Sequence, residues 1–272
     1  MFSAPEFEEI QKFLERCAGN MHLVLGVSGG IDSAVVAAIL SRTFDRSRIH
    51  AYFLPEARND PNLRDVENLS QRFSLDIKTV EIGPVVKSLS NIIGGSDRRV
   101  NGNIKSRVRM VLLYGYANMH NALVVGTTNR TEFYTGYFTK FGDGACDIEP
   151  IMHLYKHNVR EAAAFLNVPK SIIEKKPSAG LYPGQTDEDE LGMSYDELDD
   201  YVARWERSEL TTGSEKQSAV LDLIKRSAHK RKPPESLLRA PDAGWLCSLN
   251  SCRSALYSYW PPSQYPLPGR YR

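Results

Sequence analysis

Two polar stretches of this sequence have the residue types and spacing for phosphate chemistry. The first is residues 23–33, LVLGVSGGIDS, where Ser28, Gly29 and Gly30 separate an apolar run from an Ala-rich apolar stretch. That pattern is a strand, a glycine-rich turn and a helix N-terminus. It gathers unpaired backbone N–H groups and the positive end of a helix dipole around one small volume, which suits a phosphate. The glycines let the backbone approach the anion, and the hydroxyls of Ser28 and Ser33 add donors. Asp32 is repelled by phosphates unless a cation lies between, and Mg²⁺ is the cation that bridges a carboxylate to a polyphosphate. No Lys follows the glycines and no GxGxxG is present, so neither the Walker loop nor the dinucleotide fingerprint applies. The second stretch is residues 126–150, GTTNRTEFYTGYFTKFGDGACDIEP, with Glu132, Lys140, Asp143, Asp147 and Glu149 in a Gly- and Thr-rich setting.

The elements that must position these groups follow from hydrophobic period. Leu23, Val24, Leu25 and Val27 read as a buried parallel strand, and residues 31–40 as the helix after it. Residues 49–54, 77–82 and 123–125 read as further strands. Val66, Leu69 and Phe73 mark one helix face; Ile104, Val108, Val111 and Leu112 mark another, interleaved with Lys105, Arg107 and Arg109. Only one of Arg107 and Arg109 can face a given site. Residues 83–103, rich in Gly, Ser and Asn, read as a long surface or binding loop. Residues 195–205 and 215–229 read as amphipathic helices, the second ending at His229 and Lys230. Strands alternating with helices predict an α/β fold, a doubly wound parallel sheet with helices on both faces and ligands at the carboxyl ends of the strands. Residues 126–150 then face the same crevice as the SGG turn.

At 272 residues and a formal net charge of +1, the composition is that of a soluble globular protein with no bulk attraction to nucleic acid or anionic membrane. The four cysteines form no disulfide framework, and Cys247 and Cys252 lack the partners of a metal site, so the reduced cytoplasm is the expected compartment. The N-terminal stretch reads as an acidic amphipathic helix rather than a signal peptide, and no apolar run reaches membrane-spanning length. Residues 240–272 are rich in Pro, Tyr and Trp, hold no Lys or Glu, and show no period; they read as a weakly ordered tail.

The SGGIDS loop resembles that of the ATP pyrophosphatases, which cut ATP between the α and β phosphates and pass AMP to an acceptor. Together with GTTNRTEFYTGYFTKFGDGACDIEPI, PSAGLYPGQTDEDELGMSYDELDDY and HKRKPP, in that order, the chain resembles ammonia-dependent NAD synthetase over most of its length. The resemblance implies a Rossmann-like doubly wound sheet of the adenine nucleotide alpha hydrolase type, with a single synthetase domain at residues 1–239 ahead of the 240–272 tail. It implies amidation of deamido-NAD by ammonia, with ATP as co-substrate, through an acyl-adenylate, giving NAD, AMP and pyrophosphate, in a cytoplasmic homodimer. Residue by residue, Gly26, Val27, Ser28, Gly29, Gly30, Ile31, Asp32 and Ser33 would hold the ATP phosphates. Thr127, Lys156 and Ser178 would also contact ATP, Ser178 standing where the family often has Thr. Asp32 and Glu132 would bind Mg²⁺; Arg107, Lys140, Asp147, His229 and Lys230 would bind deamido-NAD; Asp143 would handle the ammonia proton. Residues 181–201 resemble a loop that closes over the site. The rival readings are another ATP pyrophosphatase, GMP synthetase-like or tRNA-thiolating, and a nucleotide-binding protein without turnover.

Overall fold

The strand that ends in the SGG turn is the centre of the sheet. In the computed structural model, which describes residues 1–94, 97–178, 180, 184, 186–211 and 213–234, β1 (His22–Gly26) pairs in parallel on one side with β2 (Ile49–Phe53), Leu23 opposite Ile49. On its other side it pairs in parallel with β4 (Ala122–Val125), Leu23 opposite Leu123. β3 (Ile77–Thr79) lies outside β2, so the order is β3-β2-β1-β4. Leu23 and Leu25 enter one hydrophobic cluster and Val24 the other, which is why β1 is an unbroken apolar run rather than an alternating one.

One face of the sheet carries α1 (Ala4–Ala18), α2 (Ile31–Thr43), α3 (Leu63–Phe73), α7 (Lys156–Phe165) and α8 (Lys170–Ile173). The opposite face carries α4 (Gly83–Ile93) and α5 (Arg98–His120). α2 is apolar all round because it is enclosed: every residue from Ser33 to Ser41 is buried. On α3, Val66, Leu69 and Phe73 are the buried residues, as their spacing predicts. A smaller cluster is built from α10 (Tyr195–Glu206) and α11 (Glu215–Ser227), with Tyr195, Leu198, Val220 and Ile224 at its centre. Two short helices, α6 (Arg130–Thr135) and α9 (Asp187–Leu191), interrupt the polar stretches near the site. All of this belongs to one compact unit, Met1–Lys232. The expected tail at 240–272, with Cys247 and Cys252, lies outside the described residues.

The reading of residues 83–103 as a loop is corrected. α4 occupies Gly83–Ile93 and α5 begins at Arg98. The polar and Gly content that reads as loop is partly cap chemistry, since Asp97 accepts from the N–H groups of Arg99 at 2.7 Å and Val100 at 3.1 Å. α4 buries Val86 alone, leaving no stripe for periodicity to detect. The third strand is also shorter than the expected 77–82, although Val80 N–H and Ile82 N–H continue its bonding to Phe53 and Pro55 carbonyls. None of the described helices is long and apolar enough to cross a membrane.

The chain winds from β1 outward through β2 and β3, then returns to place β4 on the other side of β1. The reversal opens a crevice between the carboxyl ends of β1 and β4. A parallel bridge from Val125 to Ile148 brings residues 146–149 to the same edge.

Candidate functional site

Gly26 closes β1, and Val27, buried, donates its N–H to Tyr52 O at 2.8 Å before the chain turns. Gly29 has φ +79° and faces Asn62, whose Cβ would lie 2.8 Å from any Cβ placed there, so both conformation and space demand glycine. The serines brace the turn. Ser28 N–H donates to Ser33 Oγ at 3.1 Å, Gly30 N–H to Ser28 Oγ at 3.2 Å, and Ser33 Oγ to Gly30 O at 3.1 Å. Gly30 is the N-cap of α2 and has no side chain to cover the first-turn N–H groups, while Ile31, Asp32 and Ser33 form that first turn.

Asp32 is met from across the crevice. Asn129 Nδ2 donates to its Oδ1 at 2.9 Å and Lys156 Nζ to its Oδ2 at 2.6 Å. The same ammonium lies 3.1 Å from Glu132 Oε1. Asn129 and Glu132 form a capping box at the start of α6, which fixes Glu132 on the first turn of that helix. Lys156 opens α7, and Asp199 on α10 anchors its N-terminus by accepting from Lys156 N–H at 3.3 Å, His157 N–H at 2.9 Å and the Thr131 hydroxyl. The Lys156 ammonium also sits 4.7 Å above the Tyr195 ring, whose hydroxyl donates to Asp187 at 2.9 Å. Burial, then the charge of Asp32, pushes the Glu132 carboxyl well above the ordinary carboxylate range against the opposing pull of Lys156. For Lys156, burial disfavours the charged form, but the two carboxylates outweigh it and the ammonium is held more firmly than usual.

Thr127 follows β4, beside Thr128, whose N–H donates to Glu149 Oε2 at 3.1 Å. Burial raises the Glu149 carboxyl to about 7. Cys146 donates to the other Glu149 oxygen at 3.1 Å, and burial followed by the charge of Glu149 pushes its thiol far up, leaving it an inert thiol rather than a nucleophile. Ser178 is exposed and accepts from Gly180 N–H at 3.1 Å. Three residues earlier, Lys175 bonds Asn62 at 2.5 Å and Asp65 at 2.7 Å, pinning that segment beside the SGG turn.

A second cluster surrounds residues 136–143. Lys140 donates to His229 O at 2.7 Å, Arg107 to Lys140 O at 3.3 Å, and Lys230 to Gly136 O and Phe138 O, each at 2.6 Å. Burial pulls the Lys230 ammonium below its usual range. Of the arginine pair, Arg107 is the exposed member of this cluster, whereas Arg109 turns inward and donates to Leu54 O at 3.0 Å. Asp143 is gripped by Ser106 Oγ at 2.5 Å and Thr139 N–H at 3.1 Å. Asp147 stands apart from the cluster, accepting from Val124 N–H at 2.7 Å and Tyr114 OH at 3.2 Å at the strand edge. Sequence reasoning misses Asn129, Ser106, Thr139, Tyr195 and Asp199. The N-x-x-E spacing from Asn129 to Glu132 is a signal that could have found the first.

A glycine-rich turn at the switch point of a doubly wound parallel sheet, facing carboxylates brought from the next crossover, defines an α/β nucleotide-binding fold of the adenine nucleotide alpha hydrolase type. The NAD synthase family model matches residues 6–234. An NH(3)-dependent NAD(+) synthetase of Picrophilus torridus is 48% identical over 233 residues, covering 85% of this chain and 94% of the relative. Among solved structures, the NMN synthetase from Francisella tularensis superposes with a TM-score of 0.76 at 36% identity, covering 89% of this chain and 100% of that one. The NH3-dependent NAD synthetase from Campylobacter jejuni also gives 0.76, at 28% identity and 88% and 100% coverage. The chain belongs to the NAD synthase family.

Proposed function

We propose that the protein is a carbon–nitrogen ligase that amidates deamido-NAD with ammonia at the expense of ATP, releasing NAD, AMP and pyrophosphate. The observation that carries this reading is the convergence of Asp32, Glu132 and Lys156 on the SGG turn in a chain that matches ammonia-dependent synthetases along nearly their whole length. A carboxylate is a poor acyl donor, because its leaving group would be oxide. The nicotinate carboxylate therefore attacks the α-phosphorus of ATP, the bond to the bridging oxygen breaks, and pyrophosphate leaves. The turn's N–H groups and Lys156 take up the charge that develops on the phosphates. Ammonia then attacks the acyl carbon and AMP departs. Asp143, held by Ser106 and Thr139, attracts ammonium and accepts its proton. Arg107, Lys140, His229 and Lys230 would bind the dinucleotide, and Asp147 is assigned to the same ligand.

Among the described residues no group of three His, Cys, Asp or Glu side chains forms a ready metal site. The pair Asp32 and Glu132 nevertheless fits Mg²⁺, which takes one or two carboxylates and completes its shell with phosphate oxygens and water. Those two residues would hold the ion, and it would supply positive charge to the polyphosphate. A homodimer is also part of this reading. Ile92 on α4 and Val111 and Met119 on α5 are 78%, 63% and 76% exposed, apolar side chains that a second copy could cover. The reduced cytoplasm is the compartment in which the free Cys17 and Cys146 and these substrates are expected.

The test is incubation with ATP, Mg²⁺, ammonium and deamido-NAD. AMP, pyrophosphate and NAD are the expected products; ADP and phosphate would refute the mechanism. Nicotinate mononucleotide is the control acceptor, because one structural neighbour is an NMN synthetase. Glutamine in place of ammonium should give no turnover, and the rate should rise with pH as free ammonia increases.

A further inference from the structure

The assignment of Asp32 and Glu132 to a divalent cation rests on the proposed function, and a side chain of this chain already stands between them. Lys156 Nζ is 2.6 Å from Asp32 Oδ2 and 3.1 Å from Glu132 Oε1, on a side chain only 2% exposed. It is not a long surface lysine that happens to reach an acid. Asp199 anchors the backbone N–H of Lys156, the Tyr195 ring lies 4.7 Å beneath its ammonium, and Asp187 holds the Tyr195 hydroxyl at 2.9 Å. Asn129 meanwhile takes the other oxygen of Asp32. Two partly buried carboxylates left without a counter-charge would be costly, and this buried ammonium supplies one. A divalent cation approaching the same oxygens meets a like charge at close range, with no phosphate oxygens to complete its shell.

We propose that Lys156 is the resident counter-ion of the metal site, and that it makes metal binding conditional on ATP. Without nucleotide the ammonium neutralises Asp32 and Glu132 and keeps a divalent cation out. The triphosphate, arriving at the SGG turn, offers the ammonium a stronger set of anionic partners and frees the two carboxylates. The cation then enters with the nucleotide, not ahead of it. The sequence separation of 124 residues between Lys156 and Asp32 makes the arrangement a property of the folded protein alone. Tyr195 and Asp187, at the start of α10 and α9, would feel the ammonium leave.

The experiment titrates the full chain with Mn²⁺, followed by electron paramagnetic resonance of the free ion, with and without α,β-methylene-ATP. Wild type should bind Mn²⁺ weakly without nucleotide and at least about tenfold more tightly with it, after correction for chelation by the analogue. Lys156→Met should raise nucleotide-free affinity by about tenfold or more, whereas Lys156→Arg, which keeps the charge, should remain weak. If wild type and Lys156→Met share the same nucleotide-free affinity while Asp32→Asn abolishes uptake with the analogue, the metal ligands stand and the counter-ion role is overturned. If Asp32→Asn leaves uptake with the analogue unchanged, the metal assignment itself falls. Should Lys156→Met not fold, the wild-type titration decides alone: nucleotide-free uptake as tight as uptake with the analogue overturns the proposal.

Discussion

Ser106 and Asp143 close a two-bond ring on each other: the Ser106 hydroxyl donates to Asp143 Oδ1 at 2.5 Å and accepts from Asp143 N–H at 2.8 Å. The carboxylate proposed to take the ammonium proton is thus aimed by a residue on α5 together with Thr139 N–H of its own loop. Ser106→Ala should leave the first chemical step intact and lower turnover with ammonium by roughly tenfold or more. Single-turnover release of pyrophosphate, compared with steady-state NAD formation, separates the two steps. Gly142→Ala should behave alike, because its new Cβ would lie 2.2 Å from Ser106 Oγ.

Asp32→Asn keeps the volume and the bond from Asn129 while removing the charge shared with Lys156. Pyrophosphate release should fall by orders of magnitude with the circular dichroism spectrum unchanged. Wild-type turnover in this variant would show that the carboxylate has no part in handling ATP.

Asp199 is a structural anchor for the site, only 4% exposed and bonded to Thr131 and to two N–H groups at the start of α7. Asp199→Ala leaves the buried Thr131 hydroxyl without its acceptor and uncaps the start of α7, and should destabilise the protein by ~1–3 kcal/mol. A urea midpoint unchanged from wild type would contradict the capping role.

His50, on β2, gives the fold an acid-sensitive point. It stacks on His120 with ring centroids 3.7 Å apart and meets His22 at 2.9 Å between ring nitrogens. Burial, then the charges of His120, His22 and Lys78, lowers its pKa from 6.5 to about 4. Between those values the unfolded chain binds the proton and the folded one does not. Stability from this group is therefore complete above pH 6.5 and declines as pH falls toward 4. Urea midpoints across that range should slope downward with acid, and His50→Gln should flatten the slope.

Local chemistry made much of this protein legible before any coordinates. The SGGIDS turn is written in contiguous residues, so strand, glycines and helix start follow from steric and hydrogen-bonding rules acting over a few positions. The same holds for Val66, Leu69 and Phe73 on α3, where a helical period is enough to choose the buried face. α4 escaped because its apolar residues spread over exposed and buried sides, with Ile92 and Ile93 at 78% and 59% exposure, so its pattern has no single face.

What the tertiary structure decided is who meets whom. Ser106 reaches Asp143 across 37 positions, Asp199 reaches Thr131 across 68, and Lys156 reaches Asp32 across 124. Neither period nor motif carries those pairings, because they depend on how the crossovers bring α5, α7 and α10 to the carboxyl ends of β1 and β4. The sequence by itself determined the phosphate-binding turn and the sheet that presents it. Packing determined that the lysine read as an ATP contact rests, in the folded chain, between the two carboxylates read as metal ligands, because a buried ammonium requires counter-charges and these two carboxylates are within its reach.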